Sequence, residues 1–144
     1  MRSQDSVEID AEAGDLFELT QDYARRLDWD PFLKEARLVD GAERAGVGVR
    51  AWCVARNGYG METRYVSFNP PNACAVEMTR GPWFFREFAG SWRFEPIGPR
   101  RTRVTFTYHL VARPALFSRP LGRIFAREMR GRLAALKQAA EARP

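Results

Sequence analysis

The chain has 144 residues, a length that suits one hydrophobic core, and its 45% hydrophobic and 28% charged residues exclude disordered, collagen-like and low-complexity classes. No run approaches the roughly 18 uninterrupted apolar residues of a spanning helix, and the opening Met1-Arg2-Ser3-Gln4-Asp5-Ser6 lacks the apolar centre of a signal peptide, so a soluble, cytoplasmic protein is expected. The net charge of +5 is unevenly spread: residues 1–40 carry 5 basic and 11 acidic side chains, residues 41–144 carry 18 and 7.

The first strand signal is the polar–apolar alternation of residues 5–11. Leu16, Phe17, Leu19, Tyr23 and Leu27 then recur at helical spacing over residues 13–27, as two short helices meeting near Thr20 to Asp22, and Trp29-Asp30-Pro31-Phe32 stops them. Six further strands, rich in Val, Phe, Tyr, Trp and Thr, follow at 34–40, 47–56, 59–69, 72–80, 84–96 and 101–112. Asn57-Gly58 is the best hairpin signal among them, expected as a two-residue primed turn with positive φ at both positions. Asn69-Pro70-Pro71-Asn72, Gly81-Pro82 and Pro96-Ile97-Gly98-Pro99 mark other breaks.

After Arg113-Pro114 one long amphipathic helix is expected, with Leu121, Ile124, Phe125, Met129, Leu133 and Leu136 on one face and Arg119, Arg123, Arg127, Arg130 and Lys137 on the other. The result is a single α+β domain over residues 1–144, without repeats or linker, in which the helix covers the apolar face of an antiparallel sheet. The arginines have no exposed aromatics interleaved with them, so no nucleic-acid partner is expected.

Ile9-Asp10-Ala11, Leu16-Phe17, Trp29-Asp30-Pro31-Phe32, Asn69-Pro70-Pro71, Gly81-Pro82, Gly90-Ser91-Trp92-Arg93-Phe94 and Thr102-Arg103-Val104-Thr105-Phe106 occur in an order that resembles the START-like (SRPBCC) superfamily. That superfamily includes polyketide cyclases and dehydrases and coenzyme Q-binding proteins. The resemblance covers nearly the whole chain and implies a helix-grip fold: a curved seven-stranded antiparallel sheet wrapped around the C-terminal helix, with an apolar cavity between them. It implies a pocket rather than a reaction. Trp29, Phe32, Met61, Phe88, Trp92, Phe94, Tyr108, Phe125 and Met129 are the candidate ligand-binding residues, Phe106 projecting with them.

Cys53 and Cys74 read as small buried hydrophobes, and neither belongs to a C-x-x-C pair. Under the implied fold a strand separates them, about 9 to 10 Å at ordinary strand spacing, too far for a disulfide. His109 is the one histidine, which excludes two-histidine metal sites such as H-E-x-x-H, and neither a metal nor a cofactor is assigned. The alternation of Val104, Phe106, Tyr108 and Leu110 puts His109 on the opposite, solvent face, away from any Ser-His-acid set. Gly46-Val47-Gly48-Val49-Arg50-Ala51 matches a dinucleotide-binding string, but strand-like residues follow it where a helix is required.

The strand at 59–69 carries the remaining chemistry. Glu62 and Arg64 share one face with Val66 and Phe68; Met61, Thr63, Tyr65 and Ser67 share the other; and either face can be the inner one. If Arg64 points inward it is a fixed cation for a carbonyl or enolate, with Glu62 as its partner, and the resemblance places Arg64 near an arginine held to be catalytic in aromatase/cyclases. If the other face is inner, Tyr65 is the proton-transfer candidate and Glu62/Arg64 form a surface pair. The candidate catalytic residues are therefore Arg64, Glu62 and Tyr65. The expected function is enclosure of a polyketide-, lipid- or quinone-like molecule, with cofactor-free cyclase/dehydrase chemistry if it is an enzyme. The alternatives are a non-catalytic lipid or quinone carrier and an interaction protein acting through the Arg-rich helix face.

Overall fold

The computed structural model describes residues 1–142. Seven strands, β1 (Arg2–Ile9), β2 (Leu33–Leu38), β3 (Arg50–Ala55), β4 (Gly60–Asn69), β5 (Ala73–Arg80), β6 (Phe85–Gly98) and β7 (Arg101–Ala112), form one antiparallel sheet in the order β1-β7-β6-β5-β4-β3-β2. Helices α1 (Ala13–Gln21) and α2 (Arg26–Trp29) connect β1 to β2, and a 3-10 turn leads into the long α3 (Ser118–Glu141). This is the expected helix grip. β1 begins three residues and ends two residues earlier than the alternation suggested, because Arg2 pairs with His109 and Ile9 with Thr102.

The alternation in β6 and β7 decides which face is covered. Trp92, Phe94, Val104, Phe106, Tyr108 and Leu110 are buried, and Met129, Leu133 and Leu136 of α3 join the same core. His109 is exposed on the other face, 3.6 Å from Glu87. The Tyr108 hydroxyl donates to the Gly122 carbonyl at 2.9 Å and the Met1 ammonium to that of Leu110 at 2.8 Å, which ties α3 and the chain start to β7.

Several local expectations change. Gly58 has φ +97° but Asn57 does not lie at positive φ. Ala55 N–H bonds to Tyr59 O and Gly58 N–H to Ala55 O, each at 2.9 Å. The loop is thus the three-residue kind, a turn followed by a left-handed glycine. Residues 46–49 are a turn ahead of β3 with no helix after it, which leaves the glycine string without the context a phosphate loop needs. Ile124 is 63% exposed, standing among the arginines of α3. Among those basic side chains Arg130 reaches Asp5 at 3.7 Å and Lys137 binds Glu141 at 2.6 Å.

Candidate functional site

The orientation of β4 follows from its register. Trp52 opposes Glu62 and Arg50 opposes Arg64, while Ala51 opposes Thr63 and Cys53 opposes Met61. The Arg80 guanidinium sits 5.5 Å from the Trp52 ring, and Glu62 meets Arg50 at 3.4 Å and Arg80 at 3.6 Å, all on the outer face. Arg64 stands there too, 2.6 Å from Glu77, with both side chains about half exposed. The inward orientation of Glu62 and Arg64 is therefore not the one the fold adopts, since strand alternation sends Met61, Thr63 and Tyr65 to the concave side. A bulge at Val66, between the Tyr65 and Ser67 pairings, then resets the alternation. Phe68 consequently joins the inner face, 5.1 Å from Phe17 and 5.5 Å from Tyr65 between ring centres.

Tyr65 is 2% exposed and begins a directed chain of hydrogen bonds. Its hydroxyl donates to Gln21 Oε1 at 2.6 Å, Gln21 Nε2 donates to Thr20 Oγ1 at 2.9 Å, and Thr20 Oγ1 donates to Leu16 O at 2.9 Å. A phenol has one proton, so in the 3.0 Å contact between the two tyrosine hydroxyls Tyr23 is the donor. Burial raises the pKa of Tyr65 far above the ordinary phenol range, with Tyr23 beside it adding to the shift, and burial also raises Tyr23. Both remain neutral donors near pH 7.

A second group lies beside this chain. Arg26 Nε donates to Asp30 Oδ2 at 2.8 Å, and Arg26 Nη1 to Thr20 O at 2.9 Å, which links the two networks through the last turn of α1. Arg132, from α3, brings its Nε to 2.9 Å from the same Asp30 oxygen, although the N–H is not aligned for a hydrogen bond. Asp30 Oδ1 accepts the Phe32 amide at 3.0 Å. Aromatic rings wall the cluster: Arg26 lies 5.4 Å from Trp29 and 6.0 Å from Trp92, and Arg132 lies 5.1 Å from Phe32 and 5.9 Å from Phe106.

The electrostatics are uneven. Burial alone would lift the Asp30 pKa, but Arg132 and Arg26 outweigh it and hold the carboxyl below its ordinary value. Burial would likewise lower Arg26, and Asp30 overcomes it. For Arg132 burial prevails, because Arg26 opposes the help it receives from the shared carboxylate. The two cysteines are free thiols on strands separated by β4; burial raises both, Cys74 to about 12, so neither is a thiolate near pH 7.

The candidate ligand-binding residues form the packed wall behind these networks. Trp29, Phe88, Trp92, Phe94, Tyr108 and Met129 are core, and Phe32, Met61 and Phe125 pack against them. Phe125 is the centre of the rings, 4.7 Å from Tyr108, 5.1 Å from Phe88 and 5.7 Å from Phe32. None of the nine borders the cleft of about 710 Å³ that opens between the α1–α2 turn, β2 and residues 42–45. That cleft is lined by Phe17, Gln21, Tyr23, Leu38 and Phe68 among others, so it meets the hydrogen-bond chain at Gln21 and Tyr23. Sequence reasoning assigns no functional role to Gln21, Tyr23, Arg26, Asp30 or Arg132. The signals present were Arg26 and Asp30 one helical turn apart, and an arginine at 132 in the apolar spacing of Met129, Leu133 and Leu136.

A curved sheet gripping a long helix, with a buried polar interior on the concave side, defines a START-like domain. Residues 1–141 match the family described as polyketide cyclase / dehydrase and lipid transport, and the chain belongs to that family. The fold is similar to that of the Zhui aromatase/cyclase from Streptomyces sp. R1128, at TM-score 0.84 and 18% identity over 98% of this chain and 93% of that one. A START superfamily protein from Mycobacterium smegmatis is similar at TM-score 0.77 and 14% identity, over 98% and 97% of the two chains. The di-domain ARO/CYC BexL of the BE-7585A biosynthetic pathway matches at TM-score 0.80 and 18% identity, over 98% of this chain and 46% of that one. No curated protein sequence matches. Among the described residues no helix is long and apolar enough to cross a membrane.

Proposed function

We propose that the chain binds a hydrophobic, ring-bearing small molecule between the concave sheet face and α3, admitted at the cleft beside Gln21 and Tyr23. It acts on that molecule as a cofactor-free cyclase or dehydrase of polyketide-like compounds. The observation that carries this reading is the buried phenol of Tyr65, hydrogen-bonded on the concave face next to Tyr23, with aromatic side chains around it. A neutral phenol polarises a carbonyl oxygen and stabilises the negative charge that oxygen gains during aldol-type closure. A ligand carbonyl would replace Gln21 Oε1 as acceptor of the Tyr65 proton, an exchange of like bonds with little net cost. Holding a flexible polyketone in one folded conformer supplies the rest of the acceleration. In this reading the chemistry rests with Tyr65 and Tyr23, since Arg64 and Glu62 face outward.

That same outward placement favours a second reading, a non-catalytic lipid or quinone carrier, because it leaves no charged side chain of β4 among the inner groups. Titration with the ring ketone α-tetralone, followed by the fluorescence of the buried Trp29 and Trp92, tests occupancy. Saturable quenching, weakened several-fold in Tyr65→Phe, is expected; absence of saturable quenching overturns both readings. Incubation with a linear poly-β-ketone thioester then separates them. Ring products formed faster with wild type than with Tyr65→Phe support the enzyme, and intact bound thioester supports the carrier.

A further inference from the structure

We infer that the Arg26–Asp30–Arg132 cluster is a binding site for a single carboxylate carried by the enclosed ligand, an inference that rests on the interior-binding reading above. Two guanidiniums share one carboxylate oxygen, Asp30 Oδ2, at 2.8 and 2.9 Å. Arg26, Asp30 and Arg132 are 5%, 2% and 7% exposed. Among the described residues the one other buried carboxylate is Glu62, and it is spent on Arg50, Arg80 and Thr79 on the outer face. Tyr23, Tyr65 and Cys53, the neighbours able to ionise, are all held neutral by burial. The cluster therefore carries one uncompensated positive charge away from water, which is costly unless an anion or ordered water completes it.

Two buried donors of this region lack an aligned acceptor among the described residues. They are the Nε–H of Arg132 and the indole N–H of Trp29, on the α2 turn that carries Arg26. Arg132 Nη1 meets the weak acceptor Met129 Sδ at 3.6 Å. Buried donors are almost always paired in folded proteins, so these two, beside a surplus cation, are available to a ligand's acceptor atoms. A carboxylate fits in charge and shape, since it neutralises the surplus unit and presents two coplanar oxygens to a planar guanidinium fork. A dianion would reverse the imbalance. The rings of Trp29, Phe32, Trp92 and Phe106 around the two guanidiniums select a carboxylate attached to an apolar or aromatic body.

The test compares 2-naphthoate with 2-naphthol at pH 7, where the first is an anion and the second neutral on the same ring. Tryptophan quenching and calorimetry report both affinities for wild type, Arg132→Met and Arg132→Lys. Wild type is expected to prefer naphthoate by about tenfold or more, as a charge-assisted bond in a water-excluded site does. Arg132→Met, which leaves a neutral Arg26–Asp30 pair, is expected to bind the two equally, and Arg132→Lys to keep part of the preference. Equal wild-type affinities with saturable binding of both would overturn the carboxylate site while leaving interior binding intact. A naphthoate preference that survives in Arg132→Met would also overturn it, by placing the recognition elsewhere. Saturation by neither compound would overturn the interior reading together with this one. Should Arg132→Met fail to fold, the wild-type ratio decides alone.

Discussion

Two sets of arginine–carboxylate contacts, one on each side of the sheet, have nearly the same distances and opposite significance. On the outer face Arg64 meets Glu77 at 2.6 Å, both half exposed, in water that screens the attraction and competes for the hydrogen bond. In the interior Arg26 and Arg132 meet Asp30 at 2.8 and 2.9 Å with almost no solvent. There the desolvation of three ions is already part of the folded state, and removing the one carboxylate leaves both guanidiniums uncompensated. The separation of the charged atoms therefore says little; their access to water and the count of each sign decide what the contacts do.

The largest expected effect comes from breaking the interior set at its single acid. Asp30→Asn leaves two buried guanidiniums without a carboxylate and is expected to cost about 3 to 5 kcal/mol in urea unfolding. It also changes the acid limb of stability. The folded-state pKa of Asp30 lies below its ordinary 3.8, so the unfolded chain takes up the proton first. The contribution is complete above the unfolded value and is lost as pH falls from there through the lower folded one. Wild type should lose stability steeply below about pH 4, and Asp30→Asn, having no proton to bind, should show a shallower limb. An unchanged slope in Asp30→Asn would show that Asp30 does not carry this dependence.

An intermediate effect is expected at the neutral network. Tyr65→Phe keeps the ring against Phe68 but leaves Gln21 Oε1 without its donor and Tyr23 without its acceptor. One buried group left unpaired costs about 1 to 3 kcal/mol, and adjustment of the Gln21 amide places the expected loss near the lower end. Urea midpoints measured at constant slope report it. A loss equal to that of Asp30→Asn would mean that the two networks stand or fall together through Thr20, which joins them.

The contrast between the two faces also explains which features were legible in the sequence. The alternation in Val104, Phe106, Tyr108 and Leu110 is a period of two that an antiparallel sheet with one covered face must show, and it placed His109 outside correctly. The same rule, applied along the whole of β4, fails at Phe68 because the Val66 bulge inserts an extra residue with no sequence mark of its own. Asp30 was visible only as part of a helix-stopping segment, since its second partner comes from α3 at the far end of the chain. Arg132 lies between Met129, Leu133 and Leu136 on the helix face, yet a pattern built from apolar residues passes over it, and arginines elsewhere on α3 are exposed. Pairing across such sequence distance is set by the tertiary fold and leaves no local signature.

The smallest expected effect belongs to the outer pair, and it is the one that most directly separates the two faces. Arg64→Ala removes a half-exposed guanidinium whose partner, Glu77, remains free to take water in its place. The stability change is expected to stay within about 0.5 kcal/mol, and the coupling energy in a double-mutant cycle with Glu77→Ala below about 1 kcal/mol. Affinity for α-tetralone should not move, because β4 sends Arg64 away from the concave side on which Tyr65 lies. A several-fold loss of tetralone affinity in Arg64→Ala, at unchanged stability, would mean that ligand meets the outer face of the sheet and would reverse the assignment of the two sides.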